Sequence, residues 1–276
     1  MSGGGRRCIS GEIFLKNRVK TAVIIVAVTC LCVFLSRATR IAFFTLCAMA
    51  AVWETCSVLK HGEVRGNFVI PMAYCAVQGV LCAFSVSTVY MLGLYFLFLF
   101  LALFWGIIRA DGKNAMGTVF SMCYPASFFA VIIWIASHDM WMSVLVTAVG
   151  SAWACDSCAL IFGKKLGKHK LAPKVSPNKT VEGTICGALA SLIAGVLLFF
   201  IFRKMEVSLF TWMIIALICS SLGQTGDLAA SLIKRMCGVK DYSSLMGEHG
   251  GIMDKYDSML FAIPACMMLF YMFGIL

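Results

Sequence analysis

Long apolar runs dominate the chain, and their lengths set the expected fold. Stretches at 21–36, 41–59, 67–85, 89–108, 117–137, 140–162, 184–202, 208–233 and 258–276 are almost free of charge. Most approach or exceed the ~18–20 apolar residues that a helix needs to cross a hydrocarbon core about 30 Å thick. Residues 68–108 carry no charge at all and are too many for one helix, so the pattern divides there, near Ser85–Ser87. Nine transmembrane helices are predicted, in an all-α polytopic membrane protein. The run at 21–36 has basic flanks, as a secretory signal would. No small-x-small cleavage site precedes Arg37, so it reads as a retained first span. Residues 1–20 form a glycine-rich basic head, and 21–276 read as one transmembrane domain with no globular appendage. No internal repeat or inverted half is visible, which argues against common transporter designs.

Charge gives the orientation. With nine spans the two ends lie on opposite sides of the membrane. Placing the head in the cytoplasm puts 19 of the 23 Lys and Arg residues in the head and the cytoplasmic loops, leaving only Arg37, Arg40, Arg203 and Lys204 outside. That asymmetry is the positive-inside pattern. The net charge of +10 would suggest nucleic acid as partner of a soluble protein, but this chain is 61% hydrophobic with a mean hydropathy of +0.91. In that setting the charge reads as cytoplasmic loops facing anionic lipid. Two cytoplasmic loops are long, about 163–183 and 234–257, while the outer loops are short.

Composition changes the picture at one further point. Fourteen cysteines would suggest a disulfide scaffold in a small secreted protein. Nearly all lie inside apolar runs, where cysteine behaves as a small hydrophobe. The single C-x-x-C, Cys155 to Cys158, has no second pair and no histidine at finger spacing, so it gives little reason to expect zinc or redox chemistry.

Three constellations can carry chemistry. The first is FGKKLGKHKLAPKVSPNKTVEGT, residues 162–184, with six lysines within sixteen positions and with glycines and prolines that break a plain helix. It reads either as a solvated basic loop or as a polyanion cradle. In the second case Lys179 neutralises phosphates while Ser176, Asn178 and Thr180 add donors near a helix start. The second is GQTGDLAASLIKR, 223–235, where Asp227 falls inside an apolar span, as Asp156 does in WACDSCAL. An acid there costs about 2.5–3.5 kcal/mol on insertion scales, which makes a functional role the default. Asp227, Ser231 and Lys234 follow i, i+4, i+7 and share a helical face. A buried Asp227–Lys234 pair is the structural alternative. Glu54, beside Trp53 and a loop, reads as mostly structural.

The third constellation is HGGIMDKYD, 249–257. Asp254 and Asp257 are i, i+3 at the start of the last helix, where the dipole alone would favour acids. Gly250 and Gly251 let backbone approach a phosphate or a metal closely. His249 reads as a general base or as a loop histidine that merely hydrogen-bonds. Carboxylates are the hard ligands magnesium takes, together with substrate phosphates. Acids beside many lysines suit phosphoryl or nucleotidyl transfer, in which positioning and charge neutralisation dominate. The membrane makes a lipid one reactant.

The stretch SLIKRMCGVKDYSSLMGEHGGIMDKYD, 231–257, closely resembles the signature of the phosphatidate cytidylyltransferase (CDP-diacylglycerol synthase) family. Ser231, Lys234-Arg235, Lys240-Asp241, His249-Gly250-Gly251, Asp254 and Asp257 fall at the signature positions, and S-P-N-K-T-x-E-G at 176–183 is also similar to the family's loop. Three places depart from it: Lys255 and Lys164 stand where the family has arginine, and Gly247-Glu248 where it has Pro-Gly. Lysine keeps the charge but loses the bidentate fork. The resemblance implies that CTP and phosphatidic acid give CDP-diacylglycerol and pyrophosphate for phospholipid synthesis. Magnesium would be held by Asp227 and Asp254, with room for a second, monovalent, cation. It further implies Asp257 and Asp156 as supporting acids, with Lys240, Asp241 and His249 also at the catalytic site. Ser176, Asn178, Lys179, Ser231, Lys234, Arg235, Gly250, Gly251 and Lys255 would bind substrate. A bacterial inner membrane, a cytoplasmic active site and a homodimer complete the expectation. A CTP-dependent lipid-alcohol kinase and an ion-coupled transporter are the alternatives.

Overall fold

The computed structural model describes residues 27–247 and 250–275. The basic head, the start of the 21–36 run and His249 therefore lie outside the described residues. Residues 27–35 are helical. Eight helices follow: α1 (Arg37–His61), α2 (Val69–Ala83), α3 (Thr88–Arg109), α4 (Gly112–Ala136), α5 (Trp141–Leu166), α6 (Val181–Ile201), α7 (Leu209–Met236) and α8 (Met253–Met272). Between α5 and α6 stands an antiparallel hairpin, β1 (Lys170–Ala172) and β2 (Ser176–Thr180). All-α is thus the class, with one small sheet that the sequence pattern did not announce.

Six of the helices (α1, α3, α4, α5, α6 and α7) are long and apolar enough to cross a membrane. The predicted span at 67–85 contracts to the fifteen residues of α2. The predicted last span begins earlier, at Met253, so the two acids of the signature lie in its opening turns. The long loops shrink accordingly. Helix α5 runs on to Leu166 and α7 to Met236, leaving the hairpin segment and residues 237–252 as the connections.

Local chemistry explains the boundaries. Ser36 opens α1 with a capping box, its Oγ accepting from the Thr39 N–H while Thr39 accepts from the Ser36 N–H. Asp111 caps α4 through the Asn114 N–H. Inside α4 a π-turn spans Met122–Ala126, where Pro125 has no N–H to give the ladder.

Helices α5 to α8 pack into one bundle, and α1 to α4 form a second layer against it. Helix α8 touches both groups, meeting α7 and α5 on one side and α4 and α1 on the other. Large apolar side chains on the outside of α3, such as Leu92, Phe96, Phe100 and Phe104, remain exposed, as a lipid-facing surface requires.

Candidate active site

The hairpin delivers a lysine. Thr180 caps α6, its Oγ1 accepting from the Gly183 N–H. Glu182, in the first turn of α6, accepts from the backbone N–H groups of Lys168 and His169 and pairs with the His169 Nδ1 at 2.6 Å. That carboxylate ties the entry of the hairpin to the helix it leads into. Lys179, at the end of β2, is carried across to α7, where its Nζ lies 2.5 Å from Asp227 Oδ2. Ser176 is half-buried on the same strand, while Asn178 is exposed.

Asp227 is the centre of an acid group. The preceding residue, Gly226, packs directly on the Asp257 carbonyl of α8, and a Cβ there would collide with it. This close approach sets the Asp227 and Asp257 carboxyl groups side by side, within hydrogen-bonding reach. Asp257 Oδ1 also accepts from the Ser258 N–H at 2.7 Å. From α5, Asp156 has Lys179 and Asp227 as its charged neighbours. The buried Tyr124 hydroxyl, on the α4 π-turn, has Asp257 and Asp227 as its charged neighbours and no hydrogen-bond partner among the described residues.

Asp254 is held differently. Its Oδ1 accepts from Lys234 Nζ at 2.6 Å, and both side chains are about nine-tenths buried. Its Oδ2 accepts from the backbone N–H groups of Tyr242 and Gly251 at 2.8 and 2.9 Å. Gly250 turns the chain with φ +80°, and a Cβ there would come within 2.8 Å of Asp254 Oδ2. Both Asp254 oxygens are thereby committed to closing the 237–252 loop. The Asp227–Lys234 pair considered from the helical spacing is not formed. Lys234 turns to Asp254, and Asp227 takes Lys179 instead.

Lys234 also acts on Asp257. A sequence of charges therefore crosses the site: Asp254, Lys234, Asp257, Asp227, Lys179, Asp156. Signs alternate along it except at Asp257–Asp227, where two acids meet. Two carboxylates so placed need a shared proton or a cation between them. Among the described residues no group of three or more metal-ligating side chains is assembled. Ser231 is half-buried, and Lys240, Asp241 and Lys255 are exposed. Arg235 links the two loops, donating to the Val175 carbonyl by the hairpin turn and to the Val239 carbonyl. Cys155 Sγ accepts from the Gln224 amide, so this thiol packs the α5–α7 seam.

Two residues of the site carried no sequence signal strong enough to place them. Glu54, fully buried on α1, accepts from Ser243 Oγ at 2.6 Å, from the Ile252 N–H at 2.9 Å and from the Met253 N–H at 2.8 Å. It caps α8 from another helix, with a charge that suits the positive end of the dipole. Gly251 leaves the room: a Cβ there would overlap the Glu54 carboxylate. The structural reading of Glu54 holds, and its object is the signature loop itself. Tyr124 is the other, hidden in an apolar run.

Comparison with known proteins points the same way as this array of acids and lysines. A phosphatidate cytidylyltransferase of Staphylococcus saprophyticus is 47% identical over 112 residues, covering 41% of this chain and 43% of that protein. Proteins of the same name from Staphylococcus haemolyticus and Staphylococcus aureus (strain COL) are 44% and 46% identical over 112 and 115 residues. The matches cover less than half the length of these curated relatives. A family model described as the cytidylyltransferase family, by contrast, matches residues 16–273. Along nearly its whole length, then, the chain belongs to the cytidylyltransferase family.

Proposed function

We propose that the protein transfers the cytidylyl group of CTP to phosphatidic acid, giving CDP-diacylglycerol and pyrophosphate. The single observation that carries this reading is the meeting of Asp227, Asp257 and Lys179 at the end of the bundle where both long loops lie. The named relatives support the substrate pair.

The site suits magnesium, because two adjoining carboxylates of hard oxygen character lack a countercharge between them. Asp227 and Asp257 would hold the ion with Asp156 behind them, in place of the Asp227–Asp254 pair that the resemblance implies. Both Asp254 oxygens are taken up by Lys234 and two backbone N–H groups, so Asp254 would instead shape the loop that presents Asp257. When bound, the ion supplies charge neutralisation on the triphosphate. Lys179 adds a positive charge at Asp227, and the exposed Lys240 and Lys255 would add further positive charge for the triphosphate. The phosphatidate oxygen is already ionised, so it forms its bond to the α-phosphorus without a base. The bond from that phosphorus to the bridging oxygen breaks, and its electron pair leaves with pyrophosphate. Label on the α-phosphorus of CTP is expected in chloroform-extractable lipid in a magnesium-dependent reaction, and γ-label in pyrophosphate. Recovery of γ-label in lipid would replace this reading with a lipid kinase.

The finer membrane arrangement belongs to the same proposal. Nine spans would place the amino terminus and both long loops in the cytoplasm of a bacterial cell, with the enzyme in the inner membrane. The concentration of lysine and arginine on that side supports it. Reporter fusions within 167–180 and within 237–247 are expected to score as cytoplasmic alike. One internal and one external score would break the orientation, because the Arg235–Val175 link needs both loops on one side.

A further inference from the structure

At the end of the molecule opposite the acid array, two cavities join. One, of about 310 Å³, is almost wholly apolar and lies among α2, α3, α4 and α8, lined by Tyr74, Leu92, Tyr95, Val131 and Met267. The other, of about 440 Å³, is polar and lies at the helix ends, lined by Arg37, Ser85, Ser87, His138 and Asp139. Thr88, Met91 and Trp134 line both, so the two form one slot with a wet mouth and a greasy interior. Each volume falls in the range of small-molecule sites, about 300–1,000 Å³. Arg37 opens α1 and Glu54 lies seventeen residues further on, about 25 Å apart along its axis at 1.5 Å per residue. The mouth of the slot is therefore remote from the proposed reaction, while its inner end, at Ser127, lies about one turn of α4 from Tyr124.

Three features of this slot ask for a ligand. Arg37 donates from Nη2 to the Cys82 carbonyl and Ser85 Oγ, which fixes its guanidinium at the mouth, yet no carboxylate among the described residues pairs with it. Asp139 lines the same mouth, likewise without an ion-pair partner among the described residues. Deeper in, the Gln78 amide is 4% exposed, and its Oε1 has no hydrogen-bond partner among the described residues. A buried polar atom left unpaired costs about 1–3 kcal/mol, a reason for Oε1 to meet a polar group of whatever fills the slot. Its Nε2 donates to Cys82 Sγ at 3.9 Å, and turning the amide over would free the NH₂ to donate to an ester carbonyl.

We propose that this slot binds a zwitterionic glycerophospholipid from the leaflet opposite the active site. Its phosphate lies against Arg37, its ammonium against Asp139, an ester carbonyl at Gln78 and one acyl chain along Met91, Leu92 and Val131. An opposed cation and anion at the mouth fit a headgroup carrying both charges better than an anionic one. The lipid serves as a wedge that fixes α3 against α2 and α4, where α3 is otherwise the least enclosed of the long helices.

The test uses full-length protein purified from nanodiscs holding equal amounts of phosphatidylethanolamine and phosphatidylglycerol, with retained lipid read by native mass spectrometry. Wild type is expected to retain phosphatidylethanolamine in preference. Asp139→Asn is expected to lower that preference about three- to fivefold, the scale of a partly exposed charge pair. Arg37→Gln is expected to lower retention of both lipids. A lipid with a photoreactive acyl tail is expected to label the segments holding Met91, Leu92 and Val131. Because Asp139 is exposed on a turn, Asp139→Asn keeps the fold, and unchanged thermal unfolding in detergent checks this. Equal retention of the two lipids by wild type, or label spread evenly over the lipid-facing helices, would overturn the proposal. Either result would leave the cytidylyl-transfer reading untouched.

Discussion

Asp227→Asn is expected to reduce turnover by about 100-fold or more while the protein still inserts and folds. Asparagine has the size of aspartate, so the close packing of Gly226 on α8 is preserved. What disappears is the charge that pairs with Lys179 and adjoins Asp257. Lys179 would then lie half-buried beside a neutral amide, and an ion held between the two acids would lose half of its anionic support. Removing one preorganised charge-stabilising group from an enzyme site costs about 10²–10³ in kcat. The loss should deepen when magnesium is lowered with a chelator and be only partly recovered by excess magnesium. Asp156→Asn, at a residue without a direct ion pair among the described residues, is expected to cost less. Turnover of Asp227→Asn within a few-fold of wild type, at ordinary magnesium, would remove Asp227 from the centre of the site.

Glu54→Gln is the second change with a large expected effect, although Glu54 touches no part of the acid array. Its carboxylate satisfies two backbone N–H groups and one hydroxyl in a fully buried position. An amide offers one acceptor oxygen and presents an NH₂ where the other oxygen was, so at least one buried donor meets another donor. Hydrogen bonds to charged groups contribute about 1.5–3 kcal/mol each, and an orphaned buried donor costs about 1–3 kcal/mol. A loss of about 3 kcal/mol of stability is expected, with a clear fall in Tm measured by thermal unfolding in detergent. Activity should fall as well, because residues 251–253 lead directly into Asp254 and Asp257. Ser243→Ala removes one donor and leaves the carboxylate with two, and is expected to cost only about 1 kcal/mol. If Glu54→Gln unfolds at the wild-type temperature, the clasp contributes nothing and the loop is held by Asp254 and Lys234 alone.

Much of this was legible in the sequence. Apolar runs of membrane-crossing length fix the helices because a bilayer leaves the backbone few other choices. Asp227 stood out because a carboxylate in an apolar span is costly, and the spacing of Asp254 and Asp257 places both at the opening of one helix. Partner choice was not legible. The i, i+7 spacing of Asp227 and Lys234 allows a pair, but Lys179 and Asp254 come from elements far away in sequence, and they win. The hairpin stayed hidden because its strands are short and polar, without the alternation that marks a buried face. Glu54 gave no hint of its object because it binds backbone N–H groups, which leave no trace in residue identity. Tyr124 is an aromatic in an apolar run, and only the π-turn turns it towards the acids.

The clasp between Glu54 and the start of α8 joins positions separated by 198 and 199 residues. On a ribosome, α1 enters the membrane long before its partner exists. Until residues 243–253 emerge, the Glu54 carboxylate is a buried-type charge with none of its donors, in a segment that is otherwise apolar. A chain without residues 243–253 thus carries a polar defect in α1 that only the loop before α8 and the first residue of that helix can heal.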